Sequence, residues 1–249
     1  MEPWVRLLLP FALVFARTTA FFSVLPLLSW RTVPMRVRAG IAVMVSVFFA
    51  IILPPPPAAR QVGHWLAAAL LLGQETLCGL ALGLAARLIF AAIQQGGTII
   101  GRQMGFALAF IIDPSTGERV RPFGSFLEMI FALLFLAAGG HHLLLRLVAR
   151  SYEVIPLGQG VDFGVLASGV LAAGSAMLMF ALKLAAPLLA AFLILAVVLG
   201  VIARVLPEMN VLLASLPLRV GIGLFMAAAL VPVLQTFTEE LAQWMNRFL

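Results

Sequence analysis

The chain has 249 residues, 63% of them hydrophobic and only 10% charged, with a mean hydropathy of +1.13. An ordinary soluble domain carries about 25% charged residues, so composition excludes a water-soluble globule and, by the same surplus of apolar residues, a disordered chain. The formal net charge of +6 arises from 16 basic residues, scattered singly or in small groups, against 10 acids; that scatter gives no polybasic surface for nucleic acid.

A spanning helix needs about 20 apolar residues, and the hydropathy pattern predicts about six apolar segments within a single integral membrane domain, 1–249. The first is 7–28. Its early Arg6 and apolar run resemble a leader peptide, but Glu2 and Arg17 interrupt that pattern and Thr18-Thr19-Ala20 is a poor cleavage site, so the segment is read as mature helix. Pro34 with Arg31, Arg36 and Arg38 separates it from the second segment, 37–53, and the run Pro54 to Pro57 forces a turn before the third, 66–93.

Past the third segment the chain reads GTIIGRQMG, so that Gly97, Gly101 and Gly105 recur at four-residue steps among Gln94, Gln95, Arg102 and Gln103. Such a stripe lets helices approach closely. An earlier GxxxG pair, Gly79 and Gly83, has the same spacing. The stretch is too polar for a lipid-facing span and leads into Phe106, Phe110, Ile111, Ile112, Asp113 and Pro114, apolar residues on a connector that need cover. Two readings fit: a short interfacial helix and turn, or backbone dipping into a pore, which is tolerated at membrane depth only where protein encloses it.

The fourth segment is 123–145 and carries the chain's one histidine cluster, His141-His142. Adjacent residues on a helix point about 100° apart, so this pair lacks the spacing of a metal-binding face. The fifth, 165–203, is too long for one simple span; Pro187, one turn after Lys183, predicts a bent helix or two half-helices. Pro207 closes it, and the sixth segment is 211–234.

Arg17, Glu75, Arg87, Glu128, Lys183 and Arg219 fall inside or beside these apolar segments. At a helix centre such a charge costs about 2.5 to 3.5 kcal/mol on insertion scales, so most of them require protein or water as neighbours. Arg219 and Arg17 are read as snorkelling from helix ends. Glu75 and Arg87 are too far apart to pair along one helix, and each requires another partner. No zincin, P-loop or nucleophile-elbow motif occurs, and Cys78 is solitary. The pattern predicts neither an enzyme nor a cofactor.

Several stretches, taken in order, resemble the FliR family of flagellar export-gate proteins and their injectisome counterparts, the T-type subunits of type III secretion. They are Phe15-Ala16-Arg17, Val33-Pro34, Met104-Gly105-Phe106, Asp113-Pro114, Gly140-His141-His142, Ser151 through Gly158, Ala181 through Pro187, and Arg204-Val-Leu-Pro207-Glu208-Met-Asn210. Glu208 stands where the family usually has Gln.

The resemblance implies an all-α membrane protein of bent helical hairpins packed into a helical export-gate assembly. It implies a hetero-oligomer with FliP-like and FliQ-like membrane subunits, served by larger gate proteins of the FlhB and FlhA type. The location would be the bacterial inner membrane at the flagellar basal body, and the substrates unfolded exported proteins. By the same resemblance Phe106, Phe110, Ile111, Ile112, Asp113 and Pro114 would plug the pore. Glu75, Arg87, Lys183, Arg204, Glu208 and Asn210 would make polar contacts between subunits. The competing readings are an injectisome gate and a six-span small-solute permease, whose midplane site would use Pro187 and Lys183.

Overall fold

A computed structural model describes residues 3–25, 34–54, 64–106, 121–159, 162–206 and 215–230, with 232 and 234, the side chains of 3–7 excepted. The regular elements among them are all helices: α1 (Pro3–Val24), α2 (Met35–Ile52), α3 (Trp65–Gln103), α4 (Pro122–Ala137), α5 (Gly140–Val154), α6 (Phe163–Val205) and α7 (Ser215–Leu230). Three of them, α2, α3 and α6, are long and apolar enough to cross a membrane, and a fourth span results if α4 and α5 count as one bent crossing. The chain is an all-α membrane protein.

The boundaries follow local chemistry. Pro34 precedes α2, and Pro122 opens α4 at its first position, where a missing N–H leaves no bond unmade. Three glycines take the left-handed conformation that side chains disfavour: Gly105, Gly139 and Gly158, with φ of 90°, 78° and 74°. Gly139 breaks the expected fourth segment into α4 and α5. Two other expectations change. The third segment runs on through the glutamines and the first two glycines of the stripe to Gln103, so this stretch is the end of a 39-residue helix. The fifth continues through Pro187 as one 43-residue helix, which sets aside the reading as two half-helices.

Two compact units emerge. Unit 1 holds α1, α2, α3 up to Ile89, α5, and α6 up to Ser175; unit 2 holds α3 from Phe90, α4, α6 from Ala176, and α7.

In unit 1, α1 packs against α2 and, through Gly79 and Gly83, against α3. A side-chain carbon at Gly83 would lie 2.7 Å from the Phe21 carbonyl oxygen, and one at Gly79 would strike the Arg17 carbonyl. The Gly79 and Gly83 pair is therefore a genuine close-approach surface. In unit 2 the core is aromatic: Phe90 meets Phe131 and Phe135 edge-on at 5.4 and 5.3 Å, and all three rings are buried. Edge-to-face pairs of this kind add about 0.5–1.5 kcal/mol each beyond area burial.

Candidate functional site

Lipid tails are as apolar as leucine, so helices in a membrane are held by close packing and by polar groups that find one another. The features that distinguish this chain are therefore its buried charges and its glycines; the buried ion pair lies in unit 1, and close-approach glycines occur in both units.

In unit 1 Arg17 is fully buried, with 0% of its surface exposed. Its Nε donates to Glu75 Oε2 at 2.6 Å. Its Nη1 donates to the backbone carbonyls of Ser151 at 3.0 Å and Ile155 at 2.9 Å, and more weakly to Ser151 Oγ at 3.4 Å. The guanidinium carbon lies 4.6 Å from the centre of the Tyr152 ring, a cation–π distance. Glu75, 2% exposed, uses its other oxygen to accept the Gly158 N–H at 2.9 Å. Thr18 and Tyr152 share a hydroxyl–hydroxyl bond of 3.1 Å beside them.

Arg17 thus does not snorkel. Glu75, read above as a contact to a neighbouring subunit, is answered inside its own chain. The physical reason is plain: removing one partner of a buried pair costs about 3–5 kcal/mol, because the other charge is stranded. Chain neighbours could not reveal the pairing. The partners lie 58 and 134 or more residues from Arg17, far outside the three- and four-residue spacings that a sequence displays.

The remaining charges differ. Arg87, Lys183 and Arg204 are exposed on the chain. The Lys183 ammonium sits 5.5 Å from the Phe180 ring centre, one turn back on α6. Arg219 is part-buried and its Nε has no hydrogen-bond partner. Glu128, part-buried on α4, accepts from Gln94 Nε2 at 2.8 Å. Glu208 and Asn210 lie outside the described residues.

In unit 2 the glycine stripe meets α4. A side-chain carbon at Gly97 would come within 2.8 Å of Gly124 Cα and 3.1 Å of Leu127, and one at Gly101 within 3.1 Å of Phe123. Gly124 answers from the other side: a carbon there would be 2.6 Å from the Gln94 carbonyl and the Thr98 hydroxyl. Gly105 does a different job. Its positive φ and its N–H bonded to the Arg102 carbonyl at 3.2 Å end α3, as glycine does just past a helix C-terminus. Two glycines outside the stripe were not legible from spacing. Gly96 faces Leu184 and Ala181 of α6, and Gly223 of α7 leaves room for Met104, whose Cγ a side-chain carbon would meet at 2.5 Å.

The connector starts here. Phe106 is half-buried against Phe123, with ring centres 6.4 Å apart. Phe110, Ile111, Ile112, Asp113 and Pro114 lie outside the described residues. Among the described residues no group of His, Cys, Asp and Glu is arranged to hold a metal ion, and His141 and His142 are exposed with their ring centres 4.1 Å apart.

With this geometry established, comparison with known proteins is decisive. A family model described as bacterial export proteins, family 1, matches residues 8–245. The chain belongs to that family. It is 34% identical over 229 residues to the flagellar biosynthetic protein FliR of Bacillus subtilis, a match covering 91% of this chain and 87% of that one. It is 32% identical over 242 residues to the Escherichia coli protein of the same name, covering 96% and 91%. A third relative is the Yop proteins translocation protein T of Yersinia pestis, 29% identical over 227 residues and covering 88% and 84%. The family match spans the Arg17 cluster and the glycine stripe alike, so both features belong to the export-protein fold of this chain.

Proposed function

We propose that this bacterial export protein is a non-enzymatic subunit of the flagellar type III protein export gate. With P-type and Q-type partners it forms the channel through which unfolded flagellar proteins pass. The observation that carries the reading is near full-length similarity to proteins named for flagellar biosynthesis, at 34% and 32% identity.

The apolar surface is consistent with it. α2 and α6 leave large side chains bare, among them Met44, Ile51, Leu171 and Leu193, at 69%, 79%, 73% and 67% exposure. Exposed Lys183 and Arg87 interrupt apolar helices, where lipid is a poor neighbour and a carboxylate or polar backbone of another subunit a good one. Arg204, Glu208 and Asn210 would extend that set of contacts between subunits. Residues Phe106 and Phe110 through Pro114 would form the closed gate's plug, excluding water as a hydrophobic constriction does.

The test is secretion. A strain lacking its own subunit of this kind should regain export of flagellar proteins to the medium when it carries this chain. No export, from a chain that reaches the membrane in normal amount, contradicts the reading. The plug has its own test: deleting 110–118 should leave the assembled complex intact but let small solutes leak across the membrane. A tight membrane would place the barrier elsewhere.

A further inference from the structure

The Arg17 cluster does more than neutralise a charge. α5 ends at Val154, and the Ile155 that caps it is followed by Pro156, which has no N–H to continue the ladder. The Ser151 carbonyl still accepts the Ile155 N–H at 2.9 Å, whereas the Ile155 carbonyl beyond the helix end has no helical partner. Arg17 Nη1 reaches two carbonyls there, those of Ser151 and Ile155, from a helix more than 130 residues away. Glu75 then takes the Gly158 N–H, three residues further on. Gly158 has φ +74°, a conformation that turns the chain sharply and one that glycine alone adopts without strain. One ion pair therefore grips both sides of the same turn, the cation on its carbonyls and the carboxylate on its amide.

We infer that Arg17 and Glu75 act as a directional clasp that positions the Ile155–Gly158 turn within this chain, before and independently of any partner subunit. Direction matters because the two charges have different jobs. A guanidinium presents five N–H donors in a planar fork and can serve the carboxylate and two carbonyls at once; a lysine ammonium is a compact point charge on a flexible stem. A carboxylate placed at position 17 would face carbonyl oxygens and repel them. The positive charge also suits the carbonyl end of α5, where the helix dipole is negative. The clasp stands whether or not the export reading holds, since every group in it belongs to unit 1.

Amide hydrogen exchange on the full-length purified chain tests the clasp, read on peptides covering residues 155–159. In the wild type the Gly158 amide should exchange slowly. Arg17→Lys should speed it at least tenfold, although the charge is kept, and the double reversal Arg17→Glu with Glu75→Arg should not restore it. Ser151→Ala should change it less than threefold, because the Ser151 carbonyl, the shorter contact, is retained. Wild-type protection in Arg17→Lys, or full rescue by the reversal, would reduce the clasp to a simple ion pair and overturn the inference. Should the double reversal fail to accumulate, Arg17→Lys against Ser151→Ala still decides the matter: equal acceleration in both contradicts the carbonyl clasp.

Discussion

Unit 1 and unit 2 both let helices meet at glycines, but they differ in what they add to that contact. Without a hydrophobic force to press helices together in lipid, unit 1 adds to its Gly79 and Gly83 contact one buried polar cluster, in which Arg17 is bonded to residues of two other segments. Unit 2 relies on shape, with Gly97 and Gly101 letting α4 approach α3 and Phe90, Phe131 and Phe135 filling the space beyond. A polar cluster is specific and brittle, because each partner strands the others when removed. A glycine and aromatic seam is graded, and a larger side chain costs only what the neighbour must give.

The contrast can be broken at its strongest point first. Arg17→Ala should destabilise the chain by about 3–5 kcal/mol, the range for stranding a buried charge, and Glu75→Ala should match it. The steady-state level of each variant in membranes, with its thermal midpoint in detergent, reads this out. The pair removed together should lose less than the sum of the two single losses, because no stranded charge remains.

A seam mutation comes next. Gly97→Leu should lower stability by about 1–3 kcal/mol, the usual overpacking range, since its first new carbon already meets Gly124 Cα at 2.8 Å. Gly101→Leu should be gentler, its nearest neighbour being the Phe123 Cβ at 3.1 Å, although it too should lower the yield of any complex. A loss at Gly101 exceeding that at Gly97, by thermal midpoint, would contradict the seam as described. The smallest effect belongs to Gly174, which has nothing within 4 Å of a new side-chain carbon. Gly174→Ala should leave the purified chain unchanged or raise its stability by less than about 1 kcal/mol; any reduction seen only when partners are present would mark that face as one they cover.

Much of this was legible in the sequence, and the limits have physical causes. The membrane character followed from composition, the all-α class from the apolar segments and the family resemblance, and the break at Pro34 from the chemistry of proline. The stripe at Gly97 and Gly101 showed through its four-residue step, which is the repeat of a helix face. Its partner Gly124 did not show, because a contact between helices leaves no period in the chain. The break at Gly139 was hidden inside an apolar run that read as one span. Arg17 was misread for the same reason that Gly124 was missed: a lone arginine near a helix end resembles a snorkelling one until Glu75 and the α5 carbonyls are seen to surround it. Glu75 was recognised as needing a partner, and only the partner's location was wrong. Arg87 and Lys183 still present charge at the surface of the chain, where the expectation of a neighbouring subunit is a proposal.

The most direct test of the whole account is co-expression with the two small membrane subunits of P and Q type, followed by purification through a tag on this chain. One stable complex containing all three proteins is expected, with a much poorer yield of this chain when it is expressed without them. A chain that purifies as a well-behaved monomer and retains neither partner would contradict it.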